Sequence, residues 1–459
     1  MSPAVEGCVT TDPGDCEVIV IGGGPAGLFC ALQAAGNAGM NRRVVVLEKN
    51  AACGRKLLVT GAGQCNLTHG GDIRAFFSHY GDHGAFLRPA LLGFTNRDLI
   101  AFFESRGLSM VADAGEKVFP ATRKASDVLD LLLRECRERG VEIRCDEAVL
   151  SIEQRDGGFL VATGTARYTA PRVVIATGGA SYPATGSSGD GYRLAAGLGQ
   201  PVTAIRPALA AVAVEDHLFP HLAGISFDGV AVSLFRENRK VREGSGDLLF
   251  THAGLSGPVV LPLSRSIEAG DVLTVSFVPG RPRETLQNDL VETVAAHGTR
   301  QVKTVLSDFR LPGRFANELL HRIGIPQDLT CAHLSKQMRN DLVAHLTAFP
   351  FRVKAVGGFH EAMVTAGGVA LDEVDQKTMA SRRIPGLFFI GEVLDIDGDT
   401  GGYNLQAAFS TAYAAARAIA AEPRGEPPAK ARFPLPDDGR ALHRHRPLHP
   451  HPASRPGDG

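Results

Sequence analysis

The sequence predicts an α/β fold in which one domain, contributed by both ends of the chain, is built around an inserted middle domain. Three observations predict it. The runs Val18–Ile21, Val173–Ala176 and Leu387–Ile390 are short and apolar, and read as fully buried strands that each lead into a turn with glycine. The first leads into glycines at 22, 23, 24 and 27 and then a helix of small residues. Beyond Arg206 and Pro207 the pattern changes to short alternating strands broken by glycine and proline, which suggests a small β-barrel or sandwich. A chain of 459 residues also exceeds one ordinary core, so two or three folded units are expected.

Each segment follows in order. Residues 1–15 are acidic, with no basic region and no apolar stretch, and read as a flexible extension rather than a signal peptide. Residues 16–206 form the first part of the domain that both ends share. It opens with a βαβ unit: Val18–Ile21, a helix from Pro25 towards Gly36, and Val44–Leu47 ending at Glu48. From Phe86 to Gly140 apolar residues recur at helical spacing, and strands are expected at Val141–Cys145, Val149–Glu153 and Phe159–Thr163. Residues 207–281 give the inserted barrel and 282–347 a helical subdomain. Residues 348–421 return to the first domain through strands from Phe351 onward and a last helix from about Asn404 to Ala421. Residues 422–459, rich in Pro, Arg and His, read as a disordered tail whose His443, His445, His449 and His451 are solvated.

Composition narrows the function classes. No apolar run reaches the roughly 18–20 residues that span a bilayer, so no membrane role is expected and the cytoplasm is the expected location. Eight cysteines are scattered with no C-x-x-C pair, which argues against a dithiol centre and a thiolate metal site. The net charge of −1 gives no global basic field for nucleic acid, although local basics such as Arg42, Arg43, Arg55 and Lys56 keep RNA contact open.

Gly22-x-Gly24-x-x-Gly27 lies between a strand and a helix, with Glu48 about 20 positions on, the context that a dinucleotide fingerprint requires. Gly22 allows the tight turn, Gly24 lets backbone approach a pyrophosphate, and Gly27 lets helix pack on strand. Pro25 and Ala26 open the helix whose N–H groups hold the phosphates, and Glu48, followed by Lys49, accepts from ribose hydroxyls. FAD is preferred over NAD because two further strands end at glycine turns: Thr177-Gly178-Gly179, and Gly391-Glu392 followed by the acidic, glycine-rich turn of Asp397, Thr400, Gly401, Gly402 and Asn404. Arg55, Lys56 and Gly63 fall at the carboxyl end of the sheet, where ligands bind in such folds. Cys65 reads either as a tunable proton donor or as a small packing residue. His252 reads as an acid or base, or as part of a turn before a helix capped by Ser256.

Together the glycine fingerprint, GRKLLVTGAGQCNLT from Gly54, VFPATRKASDVLD from Val118, ATGGASYPATGSSGDGY from Ala176, LFTHAGLSGP from Leu249 and GEVLDIDGDTGGYNLQAA from Gly391 resemble the BaiN/RdsA family of FAD-dependent oxidoreductases. The resemblance covers about residues 16–420. It implies a Rossmann-like FAD-binding domain of the GR2 type with an inserted β-barrel plus helical subdomain. Members reduce either a double bond of oxidised bile acids or a uridine of ribosomal RNA, so the implied reaction is hydride transfer from reduced flavin to an activated C=C bond. Cys65, His252 and Tyr403 are the catalytic candidates, and NADH or NADPH is the expected transient donor, since no second nucleotide fingerprint appears in residues 150–350. The family usually has arginine where this chain has Gln64, which removes a cation that could bind phosphate or polarise a carbonyl. Two alternatives stay open: an oxidase or dehydrogenase of a small amine or alcohol, and a protein that holds FAD as a sensor without turnover.

Overall fold

The computed structural model describes residues 16–36, 42–215 and 220–421. The chain divides into two units, Met1–Pro428 and Ala429–Gly459, and every described residue belongs to the first. The expected extension at 1–15 and the tail with its histidines lie outside the described residues.

Five parallel strands form the central sheet in the order Leu387–Phe389, Arg172–Ile175, Val18–Ile21, Val44–Leu47, Glu142–Arg144. The β-branched run Val18–Ile21 is buried throughout, as a central parallel strand covered on both faces should be. Ile21 pairs with Ile175 and Leu47, and Ile175 with Phe389, so strands from three distant parts of the chain end level with one another. Two helices pack together against this sheet, Pro25–Ala35 and Tyr403–Ala421. Their contact includes an edge-on pair, Phe29 with Phe409, at 5.1 Å between ring centres. Arg42 donates to the Ile419 and Ala420 carbonyls at the carboxyl end of the last helix, where a cation is favoured.

The stretch expected to be helical contains Gly84–Gly93, Asn96–Glu104 and Ala125–Glu138, but also the strands Met110–Ala112 and Lys117–Pro120. These join Thr68–His69 in a small antiparallel sheet.

The middle of the chain is a closed barrel of six antiparallel strands: Val212–Val214, Gly254–Ser256, Arg239–Phe250, Ser226–Arg236, Val272–Ser276 and Phe349–Val356. Val212 pairs with Val356 and closes it. The last barrel strand therefore comes from beyond the helical segment. The helices Arg283–Ala296, Val302–Leu306, Gly313–Arg322 and Lys336–Thr347 are inserted before it and share the barrel's core. Phe315 from these helices meets Phe277 at 4.5 Å and Phe227 at 4.8 Å. Ser256 lies within a barrel strand rather than capping a helix, and the helix Val260–Leu263 begins without a side-chain cap. Among the described residues no helix is long and apolar enough to cross a membrane.

Candidate functional site

The level strand ends place one site at the carboxyl edge of the sheet, and glycine geometry shapes it. Gly22 leaves the first strand at φ +110°, where a Cβ would stand 2.5 Å from the Ala176 carbonyl oxygen. A Cβ on Gly27 would stand 2.0 Å from the Gly22 oxygen, so the helix reaches the strand only because both lack side chains. Gly24 is different: a Cβ there would meet no heavy atom within 4 Å. That position opens into a cavity of about 780 Å³, within the range of cofactor sites. Gly24 also caps the first helix with no side chain over it and proline follows, so the first-turn N–H groups are left for a ligand.

Glu48 is buried beside this turn. Its Oε2 accepts from the Gly23 N–H at 2.7 Å, and Oε1 accepts from the Asn50 backbone at 2.9 Å and side-chain amide at 2.5 Å. A carboxylate offers about four acceptor positions, so capacity for a ribose hydroxyl remains. Lys49 pairs with Asp190 at 2.5 Å on the same wall. Further along, Lys56 Nζ donates to Glu392 Oε2 and to Ser181 Oγ, each at 2.7 Å. Glu392 Oε1 accepts from the Thr365 N–H at 3.0 Å. This cluster ties the segments after three strands to one another.

The far wall is the turn before the last helix. Asn404 closes it, its Oδ1 accepting from the Gly398 N–H at 2.7 Å and its Nδ2 donating to the Gly398 oxygen at 2.8 Å. A Cβ on Gly402 would stand 2.5 Å from the Thr68 carbonyl carbon, so the helix start lies directly on the small sheet.

Of the residues expected to bind cofactor, Gly22, Gly24, Pro25, Ala26, Glu48, Lys49, Arg55, Lys56, Thr177, Gly178, Gly391, Glu392, Thr400, Gly401, Gly402 and Asn404 line this one cavity. Gly27, Gly63 and Asp397 do not line it. Nor do the catalytic candidates Cys65, Tyr403 and His252. Cys65 is wholly buried, its thiol pushed up to about 12 by that burial against a small opposing effect of the Thr60 hydroxyl. Tyr403 is sandwiched between imidazoles, 4.0 Å from His79 and 5.4 Å from His69, and its phenol is pushed up to about 12 by burial and by Asp399. His252 is exposed in the turn between two barrel strands. The local basics are largely engaged within the protein: Arg42 at a helix end, Arg43 with Glu142, Lys56 with Glu392.

Sequence reasoning missed Asn50, Lys117, Tyr182, Leu209 and Met363 on the wall. Three wall residues that are not glycine hold left-handed backbone: Ala62 (φ 54°), Tyr182 (φ 55°) and Leu209 (φ 52°). Such strain persists where surroundings over-determine it, and it clusters at functional sites. Nothing in a single sequence marks Leu209 for it, whereas Tyr182 falls within the Ala176 motif.

The shape fits a flavin dinucleotide. An open glycine at a helix start would suit a pyrophosphate, a buried acid a ribose, and a glycine-rich helix start the distant end.

Comparison with known proteins agrees. The family described as HI0933-like protein Rossmann domain matches residues 16–418. The chain is 34% identical over 419 residues to the ribosomal RNA dihydrouridine synthase of Escherichia coli K12, covering 88% of this chain and 98% of that one. It is 32% identical to the 3-dehydro-bile acid delta(4,6)-reductase of Clostridium scindens, covering 88% and 99%. The ribosomal RNA dihydrouridine synthase of Haemophilus influenzae is 31% identical, covering 88% and 98%. A match across nearly all of the described chain, with relatives aligned almost end to end, shows that this protein belongs to the HI0933-like (BaiN/RdsA) family and carries its Rossmann-type FAD-binding domain.

Proposed function

We propose that the protein is an FAD-dependent oxidoreductase that reduces an activated carbon–carbon double bond. The observation that carries this is the single cavity, in which the open Gly24 turn, Glu48 and the Thr400–Gly402 turn share one wall system. The relatives' names supply the reaction class, since a dihydrouridine synthase and a delta(4,6)-reductase both saturate a conjugated double bond. Bound FAD, once reduced, supplies the hydride. The protein's part is geometry and field. The first helix would hold the phosphates at its positive end and Glu48 would orient the ribose, while Lys56 with Glu392 holds the middle of the wall. The start of the last helix would lend partial positive charge to the group bound beside it. Tyr182 and Lys117 are wall side chains with a transferable proton, and one of the two is the donor for the neighbouring carbon.

The substrate class is a conjugated carbonyl, either an enone-like small molecule or the uracil ring of an RNA. Exposed apolar side chains on the cavity wall, Val59, Leu150 and Met363, suit the first. The engagement of Arg42, Arg43 and Lys56 inside the protein leaves fewer cations for the second. NADH or NADPH, binding transiently over the flavin, is the donor, and the cytoplasm the location, in keeping with cysteines that are all free among the described residues. Anaerobic titration with NADH and then NADPH tests the donor: bleaching of the flavin is expected. A flavin that dithionite reduces and neither nucleotide does removes nicotinamide from the scheme. Mass spectrometry of ribosomal RNA from a deletion strain tests the RNA substrate: an unchanged dihydrouridine level excludes it.

A further inference from the structure

One partly buried cation outside the cavity has no role in this scheme. Arg265 lies in the connection between the barrel strands Gly254–Ser256 and Val272–Ser276. Its side chain is 16% exposed and reaches out of the barrel to the turn before the last helix. Nε donates to Asp397 Oδ2, and Nη1 donates to Asp399 Oδ1 at 2.6 Å. Nη2 stands 3.5 Å from the Asp397 carbonyl oxygen. Asp399 in turn meets His79 Nδ1 through its other oxygen at 3.0 Å, and its N–H donates to the His79 carbonyl at 2.8 Å. His79 stacks on Tyr403, the first residue of the last helix. Asp399, Thr400, Gly401 and Gly402 line the cavity, whereas Arg265 does not. A guanidinium from the inserted barrel thus bonds this acidic turn.

We propose that Arg265 is a positioning residue of the flavin site: it anchors the Asp397–Asp399 turn from the barrel side and offsets its negative charge beside the ring end of bound FAD. The proposal rests on the FAD reading above. Two carboxylates close to a ring disfavour adding electrons to it, and a guanidinium bonded to both cancels part of that field in a partly buried setting. Removing the cation while keeping the acids therefore makes the flavin harder to reduce. Removing one acid while keeping the cation makes it easier. A purely structural role for Arg265 would not produce shifts of opposite sign.

The test is the midpoint potential of bound FAD, measured anaerobically against a reference dye in the full-length holoprotein, with flavin content measured alongside. Arg265→Ala is expected to shift the potential to more negative values, Arg265→Lys to recover part of the shift, and Asp399→Asn to shift it to more positive values. An Arg265→Ala protein with full flavin content and the wild-type potential overturns the proposal. If that variant does not fold, Asp399→Asn decides, since a potential unmoved or lowered there overturns it equally. A wild-type protein that holds no FAD refutes the FAD reading itself, a separate result seen before any variant is made.

Discussion

At the scale of single residues, three glycines of one motif do different physical work, and this is testable without substrate. A methyl group on Gly27 meets backbone oxygen at 2.0 Å, in a packed interface that cannot give way cheaply. Gly27→Ala is expected to lose about 3 kcal/mol of stability, read by denaturant unfolding of the apoprotein. Gly24 has extended backbone and open space around it. Gly24→Ala should melt like wild type yet retain less FAD through gel filtration. Equal destabilisation in both would contradict the assignment of Gly24 to the cofactor. Cys65 has neither exposure nor a place on the cavity wall. Cys65→Ala is therefore expected to cost roughly 1 kcal/mol of stability and leave substrate-dependent flavin reoxidation unchanged. Tyr182→Phe or Lys117→Met should instead slow that step, by roughly 10²–10⁴-fold for the true donor. Rapid-mixing kinetics on the reduced protein separates these outcomes. The sequence marks the glycines because a tight turn, an open approach and a close helix–strand contact fall at a fixed spacing. It does not mark Leu209, whose left-handed backbone (φ 52°) no local turn residue announces.

At the scale of elements, legibility follows length and continuity. The buried strands at 18–21, 172–175 and 387–389 announce themselves by unbroken apolar runs. Met110–Ala112 and Lys117–Pro120 are three and four residues long, too short for alternation to show between helices. The barrel's last strand is hidden for another reason: Phe349–Val356 alternates well, but nothing local says that it pairs with residues 212–214 across four helices. One ion pair holds two adjacent barrel strands. Arg236, at the end of Ser226–Arg236, donates through Nε and Nη2 to the two oxygens of Asp271 at 2.9 Å each, just before Val272–Ser276. The Arg236 guanidinium holds the Asp271 carboxyl below its usual range, outweighing burial, and the Glu268 N–H helps. A carboxyl depressed in the folded state stabilises above its unfolded pKa of about 3.9 and loses that contribution as pH falls through the folded value. Asp271→Asn should therefore cost about 2 kcal/mol at neutral pH. The gap from wild type should close below about pH 4. A gap that stays constant between pH 7 and pH 3 would contradict this account of the pair.

At the scale of the molecule, the fold is one sheet whose strands come from the start, the middle and the end of the chain, with the barrel and its helices inserted between the last two. The cavity draws on all three segments, so the cofactor site exists only when both ends have met. The sequence shows the three strand ends and their glycine turns, while the Lys56–Glu392 bridge and the reach of Arg265 across to Asp397 and Asp399 arise only in three dimensions. The most direct test of the central claim is the oxidative half-reaction. The FAD-loaded protein is reduced with one equivalent of dithionite under anaerobic conditions and mixed with a conjugated enone, or with uridine-containing RNA, while the oxidised-flavin band is followed. The expected result is recovery of that band with one equivalent of the saturated product. A flavin that stays reduced with both acceptors and reoxidises only in air, releasing peroxide, would contradict the reductase account.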